Sequence, residues 1–174
     1  MRILVAHASA HGSTAEIARR IADVLRKEGS SVDVGPMEQQ DGLGDYDAVV
    51  LGSAVHDQDW LPVATAFVHR HQAVLRTRPV WLSSVGMSAA LPRILRGPAR
   101  RAQNRRLAAS LREVVHPRGH LLLSGVAQAE QLPGWAGLLL RGTGGRFGDH
   151  RDWPRIEAWA RDIAGALRTT TRGG

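Results

Sequence analysis

Apolar positions in this chain follow two periods in alternation. Ile3, Leu4, Val5 and Ala6 form a short run without charge, the composition of a strand buried on both faces of a parallel sheet. Ile17, Ala18, Ile21, Ala22 and Leu25 then recur at i, i+1, i+4, i+5 and i+8, which predicts a helix with one apolar stripe. Gly29 ends that helix, and Val32 and Val34 alternate with polar neighbours as a second strand. After a turn-rich stretch from Asp41 to Asp47, the run Ala48-Val49-Val50-Leu51-Gly52-Ser53 predicts a third strand. Trp60 to Leu75 reads as a helix through Leu61, Ala64, Phe67, Val68 and Leu75, with Pro62 tolerated in its first turn. Pro79-Val80-Trp81-Leu82-Ser83-Ser84-Val85-Gly86 predicts a fourth strand. The helical pattern resumes from Leu91 to Val115 with a break at Gly97-Pro98, and Gly119 to Gly125 predicts a fifth strand. Residues 129–150 are glycine-rich and carry no clear period. Asp152 caps a last helix that begins at Trp153, with Pro154 in its first turn and Ile156, Trp159, Ile163, Ala164 and Leu167 on the buried face.

Strands alternating with helices predict an α/β fold, a doubly wound parallel sheet covered on both faces. At 174 residues the chain fits one domain, here residues 1–168, with a frayed tail from 169 to 174. Ligands of such sheets sit beyond the carboxyl ends of the strands, where strand order reverses. In the order 2-1-3-4-5, the loops at 9–14, 53–60 and 84–90 face one crevice, and all three are rich in Gly, Ser, Ala and His.

The first of these loops is Ser9-Ala10-His11-Gly12-Ser13-Thr14, set directly between a strand and a helix start. The first amides of a helix lack backbone partners and carry the positive end of its dipole, so a phosphate binds there without a basic side chain. Ser9, Ser13 and Thr14 add hydroxyl donors, and Gly12 permits a backbone angle closed to other residues. Taken alone, these six residues read equally as an N-cap of Ser and Thr. The loop's place at the predicted crevice favours the ligand reading.

Composition narrows the chemistry. With no cysteine, disulfides, thiolate metal sites and cysteine nucleophiles are excluded. Met1-Arg2 leads straight into the first strand without a leader pattern, and no apolar stretch reaches the roughly 18 residues of a spanning helix, so a soluble cytoplasmic protein is expected. The formal charge is +7, and Lys27 is the single lysine among 23 basic residues. The densest positive segment holds Arg93, Arg96, Arg100, Arg101, Arg105, Arg106, Arg112 and Arg118 against Glu113 alone. A solvated helix face explains it, as does peripheral contact with an anionic membrane or a carboxylated substrate. Nucleic acid is disfavoured, because no aromatic residues are interleaved.

His7 and His11 straddle a strand end and a loop, and His69, His71, His116 and His120 lack carboxylates at ligand spacing, so no metal is expected. Ser53, His56 and Asp57 lie too close in sequence for a hydrolytic triad, and no Gly-x-Ser-x-Gly elbow occurs. Trp81, Trp135, Trp153 and Trp159 read as packing residues, and Trp60 reads equally as packing or as a cofactor contact.

Ser9, Gly12 and Thr14 match the Ser/Thr-x-x-Gly-x-Thr phosphate loop that follows strand 1 in the flavodoxin-like family, which the chain resembles. Gly52-Ser53-Ala54-Val55, Ala66-Phe67-Val68, Gly125, Gly144-Gly145 and Asp152-Trp153 resemble its quinone-dependent protoporphyrinogen dehydrogenase branch. The resemblance implies the flavodoxin-like five-stranded sheet and FMN as cofactor. It places the phosphate against Ser9, Ala10, His11, Gly12, Ser13 and Thr14. It places the ring between Ser53, Ala54, Val55 and His56 on one side and Ser84, Val85 and Gly86 on the other, with Trp60 or His56 as the aromatic neighbour. It further implies an FMN-dependent oxidoreductase taking electrons from a small-molecule donor, a porphyrinogen among the candidates, and passing them to a quinone-like acceptor, with no catalytic acid or base side chain. An electron carrier that docks redox proteins and a fold-only module are the alternatives.

Overall fold

The charge-free runs of the sequence become the inner strands of one sheet. The computed structural model describes residues 1–10, 12–56, 59–86, 111, 113–124, 126–127, 148–149 and 151–172. Its elements are β1 (Arg2–Ala8), α1 (Ser13–Lys27), β2 (Ser31–Pro36), a 3-10 turn (Met37–Gln39), β3 (Ala48–His56), β4 (Asp59–Trp60), α2 (Pro62–Arg70), α3 (Gln72–Leu75), β5 (Val80–Gly86), β6 (Gly119–Ser124), β7 (Val126–Ala127), β8 (Gly148–Asp149) and α4 (Trp153–Arg172). The five long strands are parallel and ordered β2-β1-β3-β5-β6, the doubly wound order expected from the sequence. Short β4 pairs antiparallel with the end of β3, and β7 and β8 form a separate ribbon.

Strand side chains alternate between two cores, because successive residues point to opposite faces of a sheet. On one face Ile3, Val5, Val50 and Trp81 pack with Ile17, Ile21 and Leu25 of α1 and with Ile156, Ile163 and Leu167 of α4. On the other face Leu4, Ala6, Leu51 and Leu82 pack with Ala64, Phe67 and Val68 of α2, Leu75 of α3, and Leu111 and Val115. Ion pairs of Arg20 with Glu157 and of Arg168 with Glu28 join α1 to α4 across the surface. At the amino-terminal edge of the sheet, Asp33 on β2 accepts from Tyr46 at 2.9 Å and from Arg2 on β1 at 3.1 Å.

Several boundaries differ from the sequence pattern. The helix read from Trp60 to Leu75 is interrupted at His71 and begins only at Pro62, since Trp60 belongs to β4. Strand β3 runs on to His56, because its last residues gain a partner in β4. Asp152 caps α4 by accepting from the Arg155 amide at 3.1 Å, and the helix continues past Arg168 to Arg172. Leu111 and residues 113–115 are helical, whereas the rest of the segment 91–112 and most of 129–150 lie outside the described residues.

Candidate functional site

Register brings the predicted loops to one end of the sheet. Ala8 pairs with Ser53, and Ser53 pairs with Ser84, so the carboxyl ends of β1, β3 and β5 stand in one row. Strand order reverses between β1 and β3, because the chain passes from β1 to β2 on one side and then back to β3 on the other. This is where a crevice opens in doubly wound sheets.

The β1–α1 turn lies over that point. Gly12 takes φ 84°, in the left-handed region, and serves as N-cap of α1 without any side-chain capping bond. The first helical bond runs from the Glu16 amide to the Gly12 carbonyl at 3.0 Å, so the amides of the first turn precede the ladder and remain available to a ligand. The Ser/Thr capping alternative is therefore not what the hydroxyls do. Thr14 is 1% exposed, and its Oγ1 has no hydrogen-bond partner among the described residues. The Ser9 Oγ is likewise buried and unpartnered. Buried hydroxyls without partners are costly, by roughly 1–3 kcal/mol each, and two of them at an uncapped helix start suit an anion with several acceptor oxygens. Glu16, the acid of that first turn, is ion-paired with Arg151, which reduces its repulsion of such an anion.

β3 carries no side chain at Gly52. A Cβ there would stand 2.9 Å from Ser83 Oγ, too close, and 3.7 Å from the Thr14 methyl, an ordinary contact distance. Glycine is therefore called for by Ser83 on the neighbouring strand β5, while Thr14 packs over the same position. His7, paired in register with Gly52, is 9% exposed with Nδ1 unpartnered. Burial pushes its pKa below the ordinary value, and nearby Arg19 adds to the shift against an opposing pull from Glu38. A neutral imidazole thus lies one residue pair from the turn.

The residues expected to border a ring are divided by the structure. Ala54 and Val55 are half-buried and His56 is exposed, so this side of β3 presents accessible groups. Ser53 is buried, donating to the Ala54 carbonyl at 2.8 Å and accepting from the Leu61 amide at 3.2 Å. Trp60 is 3% exposed and donates from Nε1 to Ser84 Oγ at 2.7 Å, so its indole is a packing group beneath the loops. Ser84 and Val85 are buried too, the latter within the core shared with α1 and α4. From the β5 side, then, backbone groups of Ser84, Val85 and Gly86 rather than side chains are what a ring could meet. His120 on β6, which the sequence pattern leaves as a solvated histidine without carboxylates at ligand spacing, is half-buried, and its Nε2 lies 2.8 Å from Ser84 Oγ. His11, Asp57, Gly125, Gly144, Gly145, Trp135 and the arginines from Arg93 to Arg112 lie outside the described residues. Arg118 is described, with its guanidinium 6.0 Å from the Trp81 ring centre.

A family model for the flavodoxin domain matches residues 4–124, a stretch that runs from within β1 to the end of β6. The chain belongs to the flavodoxin family. Solved structures agree on the fold. Rubredoxin oxygen:oxidoreductase from the anaerobe Desulfovibrio gigas superposes with a TM-score of 0.66 at 15% identity, over 97% of this chain and 36% of that one. The present chain thus spans about a third of that protein's length. A mutant flavodoxin from Pseudomonas aeruginosa gives a TM-score of 0.63 at 15% identity, covering 97% of this chain and 99% of that one. Oxidised Flavodoxin 2 from Bacillus cereus gives 0.61 at 22% identity, covering 97% and 99%. No curated protein sequence matches the chain. Family membership implies FMN as the cofactor, and the unpartnered Ser9 and Thr14 hydroxyls at the uncapped start of α1 fit its phosphate. Among the described residues no helix is long and apolar enough to cross a membrane, and no cluster of His, Asp and Glu suits a metal ion.

Proposed function

We propose that this flavodoxin-family chain is an FMN-dependent oxidoreductase that moves electrons from a small reduced organic donor to a quinone-like acceptor. The observation that carries the reading is the pair of buried, unpartnered hydroxyls, Ser9 Oγ and Thr14 Oγ1, beside the uncapped first turn of α1. Bound FMN would supply the electron chemistry, accepting a hydride and releasing electrons singly or in pairs. The chain's own residues bind and orient. First-turn amides of α1 and the two hydroxyls hold the phosphate, and Gly12 leaves clearance, with nothing within 4 Å of where its Cβ would be. Ala54, Val55 and His56 on one side and the Ser84–Gly86 backbone on the other offer the ring its borders. No acid or base side chain is required of the protein.

The basic balance supports an enzyme over a carrier, because electron carriers of this fold are generally acidic whereas this chain is +7. Eight arginines between Arg93 and Arg118 support a second element of the reading, contact with an anionic membrane surface where a lipophilic quinone would be met. The test is direct. Protein loaded with FMN is mixed anaerobically with a porphyrinogen or a hydroquinone, and flavin absorbance is followed before and after a quinone is added. Bleaching by a small donor and recovery with the quinone are expected. Bleaching only by a reduced redox protein would replace this reading with an electron carrier, and failure to take up FMN would overturn it entirely.

A further inference from the structure

A buried polar chain runs beneath the site. Trp60 Nε1 donates to Ser84 Oγ at 2.7 Å, and the same oxygen lies 2.8 Å from His120 Nε2. The indole N–H can only donate, so the serine oxygen accepts from it, and the same hydroxyl can serve the imidazole as donor or as acceptor. One hydroxyl therefore links β4, β5 and β6. Ser84 is 0% exposed and Trp60 3%, so water does not compete for the bond between them.

The series holds something that could not hold itself. β4 is two residues long and pairs only Val55 with Trp60 and His56 with Asp59. A ribbon this short is not stable alone. Its returning strand is fixed at the base by the Leu61 amide on Ser53 Oγ and by the Trp60 indole on Ser84. Ser84 also begins the segment Ser84–Gly86, which faces the other side of the expected ring position. A single side chain thus ties together both segments between which a flavin ring would lie.

We propose that Ser84 is a positioning residue whose hydroxyl locks the β3–β4 hairpin to β5 and so sets the spacing between the two backbone segments that border the ring. This inference rests on the FMN reading above, and its test separates the two. Ser84→Ala removes the hydroxyl, and Trp60→Phe keeps a smaller aromatic ring while removing the N–H, which guards against a Ser84 variant that fails to fold. Three quantities are measured in each variant: amide exchange over residues 54–61 in cofactor-free protein, affinity for FMN and for riboflavin, and the midpoint potential of bound FMN. Both variants should exchange about tenfold faster over 54–61, as expected when a buried donor loses its acceptor. Both should lose about tenfold in FMN and riboflavin affinity alike, since the phosphate grip is untouched, and both should shift the potential. The double variant should lose less than the sum of the two single losses, because the bond between Trp60 and Ser84 can be removed only once. Unchanged exchange over 54–61, or faster exchange with affinity and potential unmoved, would overturn the lock while leaving FMN binding intact. A wild-type chain that takes up neither flavin overturns the FMN reading, and the ring-spacing role with it, whatever the exchange shows.

Discussion

Thr14→Val separates the two things this side chain does. Valine keeps the shape and hence the methyl that packs toward the Gly52 backbone, but it lacks the hydroxyl, which is buried and unpartnered in the structure. In cofactor-free protein that hydroxyl contributes only a desolvation cost, so its removal should leave the fold as stable or more stable by up to about 2 kcal/mol. In the proposed complex the same hydroxyl would donate to a charged phosphate, an interaction of about 1.5–3 kcal/mol, and its loss converts to an FMN Kd raised by roughly tenfold to a hundredfold. The signs are opposite. Stability is read from urea unfolding followed by tryptophan fluorescence, and affinity from quenching of flavin fluorescence. Riboflavin, which has no phosphate, should bind the variant and the wild type alike. A variant that is less stable without cofactor and binds FMN as tightly as the wild type would refute the assignment of Thr14.

Gly52→Ala puts a Cβ 2.9 Å from Ser83 Oγ, and a loss of about 1–3 kcal/mol is expected from overpacking. Adding Ser83→Ala should recover most of that loss in the same unfolding assay, whereas additive losses would show that the crowding lies elsewhere. Gly12→Ala meets no atom within 4 Å but must hold φ near 84°, so it should lower stability by about 1–2 kcal/mol in the same assay, and no loss would mean that the turn relaxes. Burial first, then Arg19 or Arg70 respectively, lowers the pKa of His7 and His71 from an ordinary value of 6.5. The unfolded chain therefore takes up protons that the folded chain refuses, so stability is full above about pH 6.5 and falls as pH drops below it. His7→Gln should flatten part of that fall when unfolding is compared at about pH 7.5 and 5.5, and a wild-type profile flat over this range would refute the sign.

The fold was legible because the inner strands are uncharged over nearly all their length and the helices covering them have clean apolar stripes. Ile3 to Ala6 and Ile17 to Leu25 carry that information locally, and alternation of such units leaves few topologies. The turn between β1 and α1 was legible for the same reason, since Ser9, Gly12 and Thr14 are neighbours in sequence. What the sequence hid depends on distant pairs. Trp60 reads as the start of a helix until Ser84, 24 residues on, is seen to accept from its indole. His120 is 36 residues beyond Ser84, and nothing near it signals the contact. Gly52 looks like a strand end, and only Ser83 on the neighbouring strand, whose Oγ a Cβ would approach to 2.9 Å, explains why a side chain is absent there. Two of the serines expected to face a ring, Ser53 and Ser84, are buried, because β3 and β5 are inner strands covered on both faces nearly to their ends.

The central claim is that the start of α1 grips the phosphate of FMN, and comparing FMN with riboflavin on cofactor-free protein tests it without reference to any donor or acceptor. Two hydroxyl bonds to a charged phosphate, at about 1.5–3 kcal/mol each, predict that FMN binds at least about a hundredfold more tightly. Equal binding of the two flavins, or of neither, would contradict the account.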